Sequence, residues 1–361
     1  MSADPSDRRI PVAVLGATGS VGQRFVSLLA DHPWFRLAEL TASERSAGKT
    51  YRDATAWHQE TPMPDAVRDM TVLPTDPEGQ PLTSTLLFSA LDASAADRVE
   101  MPFTRAGHYV CSNARSHRMD SDVPLMVPEV NPDHLALLDA QDFGGGRLMT
   151  NPNCSTIGLT LALKPLAAAF GIEAVSVVTL QAASGAGIPG VPSLSLIDNI
   201  VPHIGGEEEK LERETQKILG TAAASAIEPA QFVVSATCTR VPVIDGHTLC
   251  VSVRLDTMAD FDEVIAQLQG FTGEPQALGL PSAPAAPLVF HDAPDRPQPR
   301  LDRGAGSGMA ASVGRLRTCR LLDYKFVALS HNTLRGAAGG SILVAELALA
   351  QGRLPGLHIP Q

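Results

Sequence analysis

The stretch Asn151-Pro152-Asn153-Cys154 ends an apolar run, and a helical pattern begins at once in "CSTIGLTLALKPLAAAF" (154–170). A thiol at that junction meets the unpaired backbone N–H groups and the positive end of the helix dipole. Both favour the thiolate, which is the nucleophilic form. The plain alternative is a small buried residue filling a strand–helix joint. A thiol nucleophile also needs an acid or base, an orienting group and a substrate anchor. "ATCTRVPVIDGHTLCVSV" (236–253) offers Arg240 before an apolar run, and His247 after the turn at Asp245-Gly246. A histidine leading out of such a turn can point into a cleft. "LQAASGAG" (180–187) puts Gln181 at a strand end, where its amide could hold a carbonyl or an amine.

A second chemistry-bearing stretch lies near the start. "VLGATGSVGQRF" (14–25) carries Gly16, Gly19 and Gly22 between an apolar strand pattern and a helical one. Glycines placed so let the backbone turn tightly and approach a pyrophosphate, which then rests on the helix N-terminus. The spacing is GxxGxxG, and its place in a strand–helix–strand unit gives it weight. At the end of the next strand an acidic residue would bind the ribose of NAD. The chain instead reads "TASERSAGKTY", with Ser43, Arg45, Ser46 and Lys49. Hydroxyls and cations suit a 2′-phosphate, so the expected cofactor is NADP.

The elements that must position these groups follow from periodicity. "IPVAVL" (10–15) and "RLAELTAS" (36–43) read as strands flanking the helix "VGQRFVSLLADH" (21–32). Strand patterns continue at 84–91, 108–113 and 124–130 with helices between, which predicts a doubly wound parallel sheet. Beyond Cys154 the texture changes. Residues 174–184 and 248–256 alternate like half-buried strands of an antiparallel or mixed sheet. "GGEEEKLERETQKILG" (205–220) predicts a charged, solvated helix, 261–271 another, and 335–352 an apolar helix behind a glycine-rich entry. Residues 281–308, rich in Pro, Gly and Asp, predict a long irregular segment.

Composition narrows the class. The chain has 361 residues, enough for two domains, with 44% hydrophobic and 19% charged residues. A net charge of −11 speaks against nucleic acid as a partner. No signal-peptide core and no membrane-spanning run is read, so no membrane partner and a cytoplasmic location are expected. Five cysteines, at 111, 154, 238, 250 and 319, form no CxxC pair. That argues against a disulfide framework and against a metal cluster, and for a reducing compartment.

Taken in order, "GATGSVGQRF", "SERSAGK", "TNPNCSTIGL", "SGAGIPGVPS", "GGEEEKLERETQKIL", "RVPVIDGHT", "RPQPRLDR" and "HNTLRGAAGGS" resemble aspartate-semialdehyde dehydrogenase of the archaeal and fungal branch. The resemblance runs along nearly the whole chain. It implies an α/β fold: an N-terminal Rossmann-type doubly wound parallel sheet plus an α+β catalytic and dimerisation domain with a mixed, largely antiparallel sheet. The boundaries expected are 1–153, completed by a C-terminal helix in 332–361, and 154–331. It also implies a homodimer or homotetramer. The implied reaction is reduction of L-4-aspartyl phosphate by NADPH to L-aspartate 4-semialdehyde and phosphate, on the route to lysine, threonine and methionine. Cys154 would form a thioester, His247 would be the acid/base and Gln181 would orient the reacting group. Arg240 would clasp the substrate carboxylate, Glu207 its amine, and Arg118 and Lys210 the phosphate, with Asn153 beside them. Thr18, Ser20, Val21, Ser184, Gly185 and Asn332 would join the cofactor site.

The sequence departs from that family at Ala90, Arg115, Ile188 and Leu249, so a specialised paralogue stays open. The rival enzyme is a malonyl-CoA reductase, which shares the thioester and the hydride step. N-acetyl-glutamyl-phosphate reductase shares the plan but differs around its cysteine and histidine. The non-enzymatic rival is a catalytically silent NADP-binding protein on the same scaffold.

Overall fold

The protein is described from a computed structural model covering residues 8–79 and 81–360. Six short strands build the first sheet: β1 (Ile10–Leu15), β2 (Phe35–Ala42), β3 (Val72–Pro74), β4 (Leu86–Ser89), β5 (Tyr109–Ser112) and β6 (Arg147–Thr150). All pair in parallel, in the order β3-β2-β1-β4-β5-β6. Val12, Val14, Leu86 and Phe88 are fully buried, as parallel strands covered on both faces must be. The order reverses between β1 and β4, so a crevice opens at their carboxyl ends. Helix α1 (Ser20–Leu29) rises from that crevice, and α2 (Ala93–Arg105) links β4 to β5 with Asp92 accepting a cap bond from Ala95 N.

The second sheet holds β7 (Ala174–Gln181), β8 (Val233–Arg240), β9 (His247–Arg254), β10 (Leu288–His291), β11 (Ala311–Thr318) and β12 (Tyr324–Ser330). Its order is β8-β7-β9-β12-β11-β10; the two outermost pairings are parallel and the inner three antiparallel. Helix α3 (Cys154–Phe170) is apolar all round and therefore buried, packing Leu159, Leu163 and Leu166 with Val177, Val251 and Phe326 of the sheet. Helices α4 (Glu207–Ile218) and α5 (Phe261–Gly270) complete this core through Leu211, Ile218, Val264 and Leu268. The last helix, α6 (Gly339–Ala350), returns to the first sheet, where Ile342, Leu343 and Leu347 join Phe25, Phe35 and Phe88 in one core.

Three expectations are corrected. Residues 124–130 do not form a strand: Leu125 makes a single bridge to Thr150, and Pro124 and Pro128 have no N–H to extend it. Asn131 instead folds the segment into a turn, accepting from Val127 N and donating to Leu125 O, each at 2.8 Å. Helix α4 is not a solvated rod, because Glu207, Glu214 and Lys217 are buried on its inner face. Residues 281–308 are not wholly irregular: they carry the edge strand β10, a helical turn at Pro299–Asp302 and another at Ala305–Gly308.

Candidate active site

Sheet register assembles the site from residues far apart in the chain. Gln181 ends β7 and pairs with Arg240 at the end of β8. His247 opens β9, the neighbour of β7 on its other side, opposite Ser330 of β12. Helix α3 begins over these strand ends. Asn153 caps it, its side chain accepting from Ser155 N at 2.9 Å and Thr156 N at 3.4 Å. Cys154 Sγ then lies 3.2 Å from His247 Nε2. The caps consume the N–H groups of Ser155 and Thr156, and among the described residues Cys154 N–H is left without a partner.

Electrostatics depart from expectation. Burial pushes the Cys154 thiol up to about 12, Glu207 adds to this, and Arg118 and Arg240 oppose it. Burial, then Arg240 and His331, pull His247 down to about 3. Both shifts run toward the neutral thiol and the neutral imidazole. The helix N-terminus does not outweigh desolvation here: Ser155 N–H and the two guanidinium groups favour the thiolate, but the cost of burial is larger. His247 is tied from behind as well: Ala182 N donates to its Nδ1 at 3.0 Å.

Charged groups converge on the thiol. Arg240 is buried, donating to Ala182 O at 2.8 Å. Glu207 receives a bond from Asn153 Nδ2 and pairs with Lys210 at 3.1 Å. Arg118 pairs with Glu214 at 2.9 Å and donates to Asn113 O at 2.8 Å, while its buried Nε has no partner among the described residues. Gln181 is buried, with one long bond of 3.3 Å to Thr179 Oγ1, so its amide has capacity to spare. Cations for a carboxylate and a phosphate, an anion for an ammonium, and a thiol between them suit a small zwitterionic acyl phosphate.

The glycine loop lies at the carboxyl end of β1, with Ser20 Oγ 3.9 Å from where a Cβ on Gly187 would stand. Gly16 turns at φ +76°, a left-handed conformation few side chains adopt, and a Cβ there would also press on Ala90 O at 3.1 Å. Gly22 packs directly on Gly16 O and Ala17. Gly19 caps α1 with no side-chain bond, and the N–H groups of Ser20, Val21 and Gly22 have no partner among the described residues. Unpartnered N–H groups at a helix start can receive a pyrophosphate. Thr18 O is held by Gln23 Nε2 at 2.9 Å. Ser43, Arg45, Ser46 and Lys49 follow the end of β2, with Arg45 and Lys49 exposed. The residues fit an NADP molecule.

Between the two halves, Asn332 accepts from Gly246 N at 2.8 Å and donates to Ser184 Oγ at 2.7 Å, holding the turn before His247. Gly185 lies against Arg240 and His247, where a Cβ would come within 2.7 Å of Arg240 Nη1. Of the departures, Leu249 points into the core under α3 and Arg115 is exposed, so neither sits among the groups around Cys154.

Gly336, in the glycine-rich entry to the last helix, abuts Cys154, leaving no room for a side chain. Three contributors escape a sequence reading. Ala182 acts only through its backbone. Glu214 accepts from Asn153 N at 2.6 Å as well as from Arg118. Lys217 donates to the carbonyls of Arg118, Asp120 and Val123 at 2.7–2.9 Å, clamping the turn that carries Arg118. The spacing of Glu207, Lys210, Glu214 and Lys217 is that of one helix face, and it was the available signal.

A family model described as the NAD binding domain of semialdehyde dehydrogenase matches residues 11–138, and its dimerisation domain matches 163–335. The chain is 51% identical over 343 residues to the aspartate-semialdehyde dehydrogenase of Methanothermobacter thermautotrophicus, covering 94% of this chain and 98% of that one. It is 50% identical over 351 residues to that of Schizosaccharomyces pombe, covering 94% and 98%. Among solved structures, aspartate semialdehyde dehydrogenase with NADP from Candida albicans superposes with a TM-score of 0.89 at 45% identity, covering 96% of this chain and 99% of that one.

Proposed function

The chain belongs to the aspartate-semialdehyde dehydrogenase family, and from that premise we propose how its residues divide the reaction. The activity is the NADPH-dependent reductive dephosphorylation of L-4-aspartyl phosphate to L-aspartate 4-semialdehyde, a step in lysine, threonine and methionine biosynthesis. The observation that carries this reading is the Cys154 thiol 3.2 Å from His247 Nε2 at the start of a buried helix, with Arg118, Arg240 and Glu207 acting on it and Lys210 paired to Glu207.

Cys154 attacks the acyl carbon and expels phosphate, giving a thioester on its own sulfur. Arg240 presents a planar fork to the α-carboxylate, Glu207 receives the ammonium, and Arg118 with Lys210 holds the phosphate. Gln181 and Asn153 orient the reacting carbonyl, and the free Cys154 N–H faces the oxyanion that develops beside it. NADP is the cofactor, and when bound as NADPH it supplies the hydride that reduces the thioester. Gly16, Thr18, Gly19, Ser20, Val21 and Gly22 would hold its pyrophosphate, Ser43, Arg45, Ser46 and Lys49 its 2′-phosphate, and Ser184, Gly185 and Asn332 its nicotinamide end.

Residues 1–153 with 332–361 form the cofactor domain in this reading, and 154–331 the catalytic and dimerisation domain. The open face of the second sheet, with Val178 and Val233 exposed, supports assembly as a homodimer or homotetramer. No helix among the described residues is long and apolar enough to cross a membrane, and five free thiols accord with a cytoplasmic setting. Relatives near 50% identity do not favour a malonyl-CoA reductase or a silent binding protein.

The test follows NADPH formation from L-aspartate semialdehyde and NADP. Turnover that requires inorganic phosphate and is absent with malonyl-CoA and NADPH supports the reading; phosphate-independent turnover, or reduction of malonyl-CoA, overturns it.

A further inference from the structure

Resting on that reading, we propose that the buried pair of Glu129 and Arg335 positions the nucleophile, by holding the backbone at Gly336 against Cys154. The contact to be held is close. A Cβ on Gly336 would stand 2.7 Å from Cys154 Cβ and 3.1 Å from its Cα, so the bare backbone of the bend at Leu334–Ala338 lies directly on the first residue of α3. The side chain next to that contact is the Arg335 guanidinium. It is buried, and it donates from Nη1 to Glu129 Oε1 at 2.8 Å and from Nη2 to Glu129 Oε2. A forked pair of this kind fixes direction as well as distance.

Glu129 is itself firmly seated. Its carboxylate is fully enclosed, and Gln276 Nε2 reaches Oε1 at 3.4 Å. Gly273 packs on the Glu129 backbone, where an added Cβ would come within 2.7 Å of its Cα. On the other side of the contact, Asn151 Nδ2 donates to Ala337 O at 3.4 Å, and Asn151 belongs to the same short run that ends in Cys154. Arg335 and Ala337 flank Gly336, so the backbone that touches the thiol residue is tied on both sides. A single peptide unit joins Arg335 to the glycine, and any shift of the guanidinium anchor passes straight to the contact.

An ion pair has a specific use here. Two charges enclosed in a core add little net stability over apolar residues of similar volume, because desolvation offsets their attraction. The pair supplies a fixed geometry, which an apolar contact does not. Placement and stability can therefore be separated by substitution.

Glu129→Leu combined with Arg335→Met removes both charges and keeps the core apolar. Its urea midpoint should stay close to wild type. Its kcat for phosphate-dependent NADPH formation should fall about 10- to 100-fold, as expected for a misplacement of up to about 1 Å at a reacting atom. The KM for NADP should stay within about twofold, since the glycine loop is untouched. Wild-type kcat in this variant overturns the proposal. So does a rise in the KM for NADP as large as the fall in kcat, which would make the pair a prop for the cofactor domain. If the double variant does not fold, Arg335→Lys decides, because it keeps the charge and loses the fork. A kcat lower by about tenfold at a native urea midpoint supports positioning, and wild-type kcat refutes it. A further readout needs no turnover: iodoacetamide alkylation followed on the peptide that contains Cys154. The enclosed thiol should react severalfold faster once the backbone over it is released, and an unchanged rate overturns the idea. If wild type lacks phosphate-dependent turnover, the functional reading fails, and the alkylation rate alone decides the role of the pair.

Discussion

Gly336 makes the most local test of how the nucleophile is placed. A Cβ built there would stand 2.7 Å from Cys154 Cβ and 3.1 Å from Cys154 Cα. Carbon atoms rest about 3.5–4.0 Å apart, so Gly336→Ala must open the contact by about 1 Å. The obstruction is the first residue of a buried helix, not the tip of a flexible side chain, and it cannot swing away. Overpacking of this kind costs about 1–3 kcal/mol of stability. The larger effect should be catalytic. A displacement of about 1 Å at a reacting atom costs on the order of 10²-fold in rate, and here the displaced atom is attached to the nucleophile itself. The assay compares kcat for phosphate-dependent NADPH formation, the KM for NADP and thermal unfolding in Gly336→Ala and wild type. The expected pattern is a kcat lower by about 10²-fold, a nearly unchanged KM for NADP and a modest loss of stability. Gly185→Ala is the contrast: its Cβ would meet Arg240 Nη1, a guanidinium end that can shift. That variant should raise the KM for L-aspartate semialdehyde more than it lowers kcat. Wild-type kcat in Gly336→Ala would refute the claim that close packing fixes the thiol.

Other perturbations probe separate parts of the account. His247 has a folded pKa near 3 against an ordinary 6.5, so below pH 6.5 the unfolded chain binds a proton that the folded one refuses. Stability is therefore full above pH 6.5 and lost as pH falls towards 3, by about 2 kcal/mol at pH 5; thermal unfolding at pH 5 and 7 should show a smaller acid loss in His247→Gln. The buried pair of Arg335 and Glu129 holds the segment leading into α6. Glu129→Gln leaves a buried guanidinium uncompensated and should destabilise by about 3–5 kcal/mol, read by urea unfolding, whereas Glu129→Leu combined with Arg335→Met should be much milder. Arg45→Ser should raise the KM for NADP roughly tenfold or more and leave that for NAD nearly unchanged, since a charge-assisted bond contributes about 1.5–3 kcal/mol; equal effects on both cofactors would remove Arg45 from the 2′-phosphate site.

Legibility in the sequence followed the range of the interactions. The glycine loop, β1, β2 and the junction at Cys154 depend on neighbours within a turn or two, and their patterns were readable. Residues 124–130 looked like a strand because they are apolar, yet two prolines and the Asn131 side chain decide their path. Strands β8, β11 and β12 left little trace, since their alternation is interrupted by small and polar residues on a half-covered sheet. Chemistry was harder to read than position. Cys154 and His247 were identifiable, whereas the direction of the thiol shift depends on enclosure by segments more than 50 residues away. Glu214 and Lys217 looked like surface charge until α4 packed their face against the turn at 113–123. The backbone of Ala182 carries no signal in its residue type.

The central claim is that Cys154 carries the acyl group. Mixing enzyme with L-aspartate semialdehyde and NADP, without phosphate, and quenching in acid tests it directly. One NADPH should form per active site in a burst, and mass spectrometry should find one aspartyl group on the peptide containing Cys154, removed when phosphate is added before the quench. No burst, a burst that survives in Cys154→Ser, or an acyl group on another residue would contradict the account.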